Sequence, residues 1–132
     1  MNATTRPTDA ETKALVFSVL AGLTDLACGI VAPEYVRLIS GSRALSGRAE
    51  RATDAPLARE LAPTYHLDGA HVSWRGDLAT IRGEVSTRHA DGRVEHSALH
   101  MSARHDGSWH VQSFSLRPAA GAQREPSADL FR

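Results

Sequence analysis

Few side chains in this sequence can move a proton or hold a ligand, and their spacing restricts what they can do. One cysteine, two tyrosines and seven histidines accompany fifteen acidic and fifteen basic residues. Cys28 stands alone, which excludes an intramolecular disulfide and a cysteine-based zinc site. Within an apolar helical stretch it reads as a small core residue. Proton transfer needs a titratable group whose pKa is drawn toward neutrality by apolar surroundings. Glu95 is the one carboxylate in phase with Leu99 and Met101, so it is expected on the inward face of its strand. Tyr35 and Tyr65 each open a segment of strand character, and either phenol can donate to a substrate oxygen. His66 follows Tyr65 and has an intrinsic pKa suited to acid–base work. Glu95, His66, Tyr35 and Tyr65 are therefore the candidate catalytic residues. Against them stand core packing for the tyrosines and solvent exposure for His66 and Glu95. Asp25 reads as a helix cap.

Other chemistries fail on spacing. His96 and His100 share a strand face, but four residues of strand span about 13 Å, too far for one ion. His71 and His110 fall on other strands, with no Cys, Asp or Glu at ligand spacing, so no metal is expected. Gly41-Ser-Arg and Gly47-Arg lack the Gly-Lys-Ser/Thr of a phosphate loop, and Ser46 lacks the glycines of a nucleophile elbow. Zero formal charge argues against nucleic acid and gives no attraction to an anionic membrane. Lys13 is the only lysine, an arginine bias that reads as codon usage before function. With 42 % hydrophobic and 23 % charged residues, the chain is too apolar for disorder. The first ten residues lack signal-peptide character and no apolar run reaches the ~20 residues of a membrane span. A soluble, cytoplasmic protein is the expectation.

The elements that must position these groups divide the chain in two. Thr8-Asp-Ala-Glu11 has the form of a capping box, which starts a helix over about 9–22. Thr24 or Asp25 caps a second short helix carrying Leu26, Ala27, Ile30 and Val31, closed by Pro33. Residues 35–39 read as a strand and 44–47 as a short returning strand; the chain becomes helical from Arg48, with Asp54-Ala-Pro56 as a strong start of a helix ending before Pro63. The period then changes to two. Strands are expected at about 64–75, 78–89, 93–105 and 108–117, separated by Gly76-Asp77, Asp91-Gly92 and Asp106-Gly107 turns. Short turns make an antiparallel meander, and helices followed by strands make an α+β fold. Ala79, Ile81, Gly83, Val85 and Thr87 form an inward face, continued by Leu99, Met101 and Ala103 and by Trp109, Val111, Ser113 and Ser115. The other face collects arginines, Glu84, His96, His100, His110 and Gln112. Residues 1–9 read as a flexible start, 10–117 as the domain and 118–132 as a mobile tail.

Two stretches carry a resemblance to a known family. Asp25-Leu-Ala-Cys-Gly-Ile-Val-Ala-Pro-Glu-Tyr-Val with Leu45-Ser-Gly-Arg48 resembles the opening of the SnoaL-like branch of the nuclear transport factor 2-like superfamily. Trp74-Arg-Gly-Asp-Leu-Ala-Thr-Ile-Arg-Gly-Glu-Val-Ser, with Arg104-His-Asp-Gly-Ser-Trp-His-Val, is similar to that family's central strand and closing hairpin. The resemblance implies a cone-shaped α+β barrel, with helices on the concave face of a strongly bent antiparallel sheet and an apolar pocket between them. Phe17, Trp74, Leu99, Met101, Trp109 and Val111 are the residues expected to line that pocket. It further implies a homodimer through the outer sheet faces. Two functions are open: a cofactor-free acid–base enzyme of isomerase, cyclase, dehydratase or epoxide hydrolase type acting on a small apolar metabolite, or a non-catalytic ligand-binding or dimerisation module.

Overall fold

The computed structural model describes residues 6–52 and 55–119. Helix α1 (Asp9–Ala27) begins at the capping box: Thr8 Oγ1 accepts the Glu11 N–H at 3.1 Å, and Glu11 Oε1 accepts the Thr8 N–H at 2.7 Å. Leu15, Val16, Val19, Leu20, Leu23 and Leu26 form its buried stripe. The expected break near residue 22 does not occur; α1 continues unbroken to Ala27. Gly22 is not a hinge but a contact point, since a Cβ there would fall within the ring of Tyr35.

The strands expected at 35–39 and 44–47 are helices instead. Pro33 opens α2 (Pro33–Ile39) as a first-turn proline, and Tyr35 and Ile39, four residues apart, share its buried side. Ser42 caps α3 (Arg43–Arg51) by accepting the Leu45 N–H at 3.3 Å. Asp54, the expected cap of a further helix, lies outside the described residues. Of that helix there is one 3-10 turn, Arg59–Leu61. The Leu57 N–H donates to the Ala27 carbonyl at 2.8 Å, which fastens this segment to the end of α1.

Strands β1 (Thr64–Arg75), β2 (Leu78–Arg88), β3 (Val94–His105) and β4 (Trp109–Pro118) form an antiparallel meander in sequence order, a curved sheet that does not close. The turns carry Gly76, Gly92 and Gly107 at φ 60°, 89° and 99°, conformations that glycine adopts without a Cβ penalty. Ala79, Ile81, Val85, Leu99, Met101 and Val111 meet the stripe of α1 in one core. Helix α1 lies against β1, and α2 and α3 lie against β4.

Two bulges alter the alternation. In β1, Leu67 pairs with Val85 but Gly69 with Glu84, leaving Asp68 as the extra residue. In β4, Val111 pairs with Ala103 but Ser113 with Ser102, leaving Gln112 extra. Beyond Gln112 the phase reverses, so Ser113 and Ser115 are not inward as expected. Phe114 is buried and Leu116 half-buried in their stead, and the Ser113 hydroxyl meets that of Ser102 at 2.7 Å.

Candidate functional site

An open pocket of about 330 Å³ lies between the end of α1, α3, the segment around Ala55–Leu57 and the start of β1. Leu23, Leu26, Ala27 and Ala52 form its apolar wall; Arg48, Arg51 and Tyr65 supply its polar groups. Local sequence explains each position. Arg48 and Arg51 are three residues apart on α3 and so share one side of it. Tyr65 is in phase with buried Leu67 on the sheet's concave face. Thr24 Oγ1 donates to the Pro63 carbonyl at 2.9 Å, tying α1 to the chain just before β1. Asp25, expected to cap a helix, sits in the last turn of α1 and binds Arg59 at 3.0 Å.

Both phenols of the chain sit in the electrostatic reach of Arg48. Tyr35 is 8 % exposed, and its hydroxyl is buried without a hydrogen-bond partner among the described residues. Burial pushes its pKa up to about 12, Arg48 pulls it back, and Asp25 and Tyr65 oppose Arg48. Tyr65 is also raised by burial, again against Arg48, with Glu95 adding to the rise. Tyr35 does not line the pocket; it lies behind it, packed on Gly22.

The other candidates fall elsewhere. Glu95 shares the row Tyr65–Thr87–Glu95 across the sheet, but beyond the apolar enclosure in which it was expected. Its side chain is 56 % exposed and bound to His89 Nε2 at 2.5 Å. That hydrogen bond, aided by electrostatic attraction to His89 and Arg93, holds the carboxyl below its usual range. His66 is on the outer face, its side chain 76 % exposed and 3.7 Å from Asp68. Phe17 is 49 % exposed on the outward side of α1, contrary to its expected place in a pocket. Leu99, Met101 and Val111 are core residues with almost no free surface. Trp74 and Trp109 stack at 6.0 Å between ring centroids, with Arg6 lying 5.4 Å over Trp74 and the His105 ring edge-on to Trp109. Of the candidates, Tyr65 alone lines the pocket.

Sequence reasoning missed Arg48 and Arg51. Arg48 figures there in the Leu45-Ser-Gly-Arg48 motif and in the test for a phosphate loop, not as a ligand contact; with 43–51 as one helix, Arg48 and Arg51 both line the pocket. On the outer face, Ser86 Oγ donates to Asp68 Oδ2 at 2.5 Å and lies 3.3 Å from His96 Nδ1. Its single proton goes to Asp68, so His96 Nδ1 is the donor in the second contact. Among the described residues no three His, Cys, Asp or Glu side chains are placed to hold a metal ion, and no helix is long and apolar enough to cross a membrane.

No protein-family model matches the chain, and comparison with curated proteins finds no match. Solved structures do resemble it. An NTF2-like protein with a cystatin-like fold from Novosphingobium aromaticivorans superposes with a TM-score of 0.57 at 17 % identity, over 93 % of this chain and 90 % of that one. A cystatin-like-fold protein of unknown function from Nostoc punctiforme gives 0.58 at 10 % identity, over 88 % and 96 %. Bd1075 of Bdellovibrio bacteriovorus gives 0.60 at 9 % identity over 83 % of this chain, which spans only 41 % of Bd1075. At these identities the likeness is one of fold.

Proposed function

We propose that this chain, which has the nuclear transport factor 2-like fold, binds a small, largely apolar molecule in the pocket beside Tyr65. The observation that carries this reading is the pocket itself: an apolar wall of α1 residues and Ala52 facing one phenol and two guanidinium groups. Concave apolar sites with a few convergent polar groups are the usual form of ligand pockets. The described lining residues supply hydrogen-bond donors and no carboxylate or imidazole, which favours a binding module over an acid–base enzyme. The catalytic reading rests on one feature, the nearness of Glu95 to Tyr65 along their shared row. Glu95→Gln with turnover intact would reject it.

The paired motifs around Trp74 and Arg104 support the SnoaL-like branch, and the polar outer sheet face supports a homodimer. Binding is tested with octanol by calorimetry on the parent and on Ala55→Trp, which places an indole over the exposed edge of the pocket. The parent should bind and the variant should not, with the same circular dichroism. Equal binding by both rejects the site.

A further inference from the structure

The polar half of the pocket is cationic, and this specifies its occupant more closely than apolar area does. Arg48 and Arg51 both line it, and among the described residues neither guanidinium has a carboxylate partner. Arg59, Arg93 and Arg104 are each held by a carboxylate, Asp25, Asp91 and Asp77; Arg48 and Arg51 are set apart by their shared place on the pocket wall. No described lining residue is acidic. The phenol of Tyr65 is neutral at ordinary pH, its pKa raised above 10.0 by burial, so it contributes a donor and no competing anion. Opposite this group stand Leu23 and Leu26 of α1, with Leu57 at the rim.

We propose that the pocket takes a small organic carboxylate, its head held by Arg48 and Arg51 beside the Tyr65 hydroxyl and its tail laid on Leu23, Leu26 and Leu57. This deepens the binding reading above and rests on it. The guanidinium fork matches a carboxylate in shape, and such charge-assisted hydrogen bonds are about twice as strong as neutral ones. The pocket volume is at the small end of the range for ligand sites, which suits a compact acid over a large lipid.

The test is calorimetry at low salt with two pairs of probes, octanoate against octanol and naphthalene-2-carboxylate against naphthalene-2-methanol, plus octylamine. At least one acid should bind about 10-fold more tightly than its alcohol, the size of one charge-assisted hydrogen bond. Arg48→Gln with Arg51→Gln should remove that preference, octanoate losing about 10-fold more affinity than octanol. Both arginine side chains are exposed on the helix, so the fold should persist, and circular dichroism checks this. Alcohols binding as well as acids would overturn the carboxylate and leave the pocket. So would octylamine binding best. An acid preference that survives both substitutions would overturn the arginine assignment. Failure of every probe would overturn the pocket reading along with it.

Discussion

Tyr35 is buried and Tyr65 half-buried within reach of one guanidinium, and their titration follows from that placement. Desolvation favours the neutral phenol, and Arg48 offsets only part of it. In the folded protein neither phenol should ionise at its ordinary pKa of 10.0, and Tyr35 should hold its proton to about 12. The unfolded chain releases both near 10, so above that pH the unfolded state binds fewer protons than the native one. Stability is therefore full below pH 10 and falls as pH rises toward 12. Phenolate absorbance in native buffer should rise late and together with unfolding; an early rise from either tyrosine contradicts the burial. Tyr35→Phe should leave stability unchanged or raise it by up to about 1 kcal/mol, because it deletes a buried hydroxyl without a partner. A loss in thermal unfolding would show that the hydroxyl has an acceptor. At the sheet's far end, His89→Ala should return the Glu95 carboxyl toward its usual range in a carbon-13 titration, since His89 is the main cause of its depression.

Gly22 illustrates how elements meet. Alanine is the better helix former by about 1 kcal/mol, so on propensity alone Gly22→Ala should stabilise α1. The new methyl would overlap Cδ1, Cε1 and Cζ of Tyr35, and overpacking of this kind costs about 1–3 kcal/mol. The clash wins, and urea unfolding should show a net loss. The same glycine shows why the first half of the chain was hard to read. A glycine that breaks a helix and one that admits a neighbouring ring look alike in sequence, and the ring belonged to a segment taken for a strand. Tyr35-Val-Arg-Leu-Ile39 has β-branched and aromatic content, yet Pro33 as a first-turn residue and the pairing of Tyr35 with Ile39 settle it as helix. Strand propensity was overridden by packing. The four strands were legible because period-two alternation and Asp-Gly or Gly-Asp turns agree over long stretches. What the alternation cannot contain is a bulge: Gln112 shifts the phase, and Phe114 replaces Ser113 at the core. Arg48 was not legible as a site residue because its helix begins earlier, at Arg43, and the end of α1 that it meets was read as a separate short helix.

The sheet divides two surfaces, and among the described residues the helices cover the concave one. The outer face carries the row His71–Arg82–His100–Ser115 and beside it Ser73–Thr80–Ser102–Ser113. The second row is small and polar, with Ser102 and Ser113 already hydrogen bonded to each other at 2.7 Å, and it offers a flat area on which a twin sheet can settle. The proposed homodimer would use this face, with the Arg82 row lying beside the contact. Sedimentation of the parent should give twice the 14.2 kDa of one chain. Ser102→Arg inserts bulk and a positive charge at the middle of that row, next to Arg82 and His100. It should shift the protein to the monomer mass without touching the core, because Ser102 lies on the opposite side of β3 from Met101 and Ala103. A parent that stays monomeric at high concentration, or a variant that still dimerises, would move the interface off this face. The Arg48 pocket is bounded by α1, α3 and the start of β1, away from the Ser102 row. Octanoate binding should therefore survive Ser102→Arg, and its loss would mean that assembly and pocket are coupled.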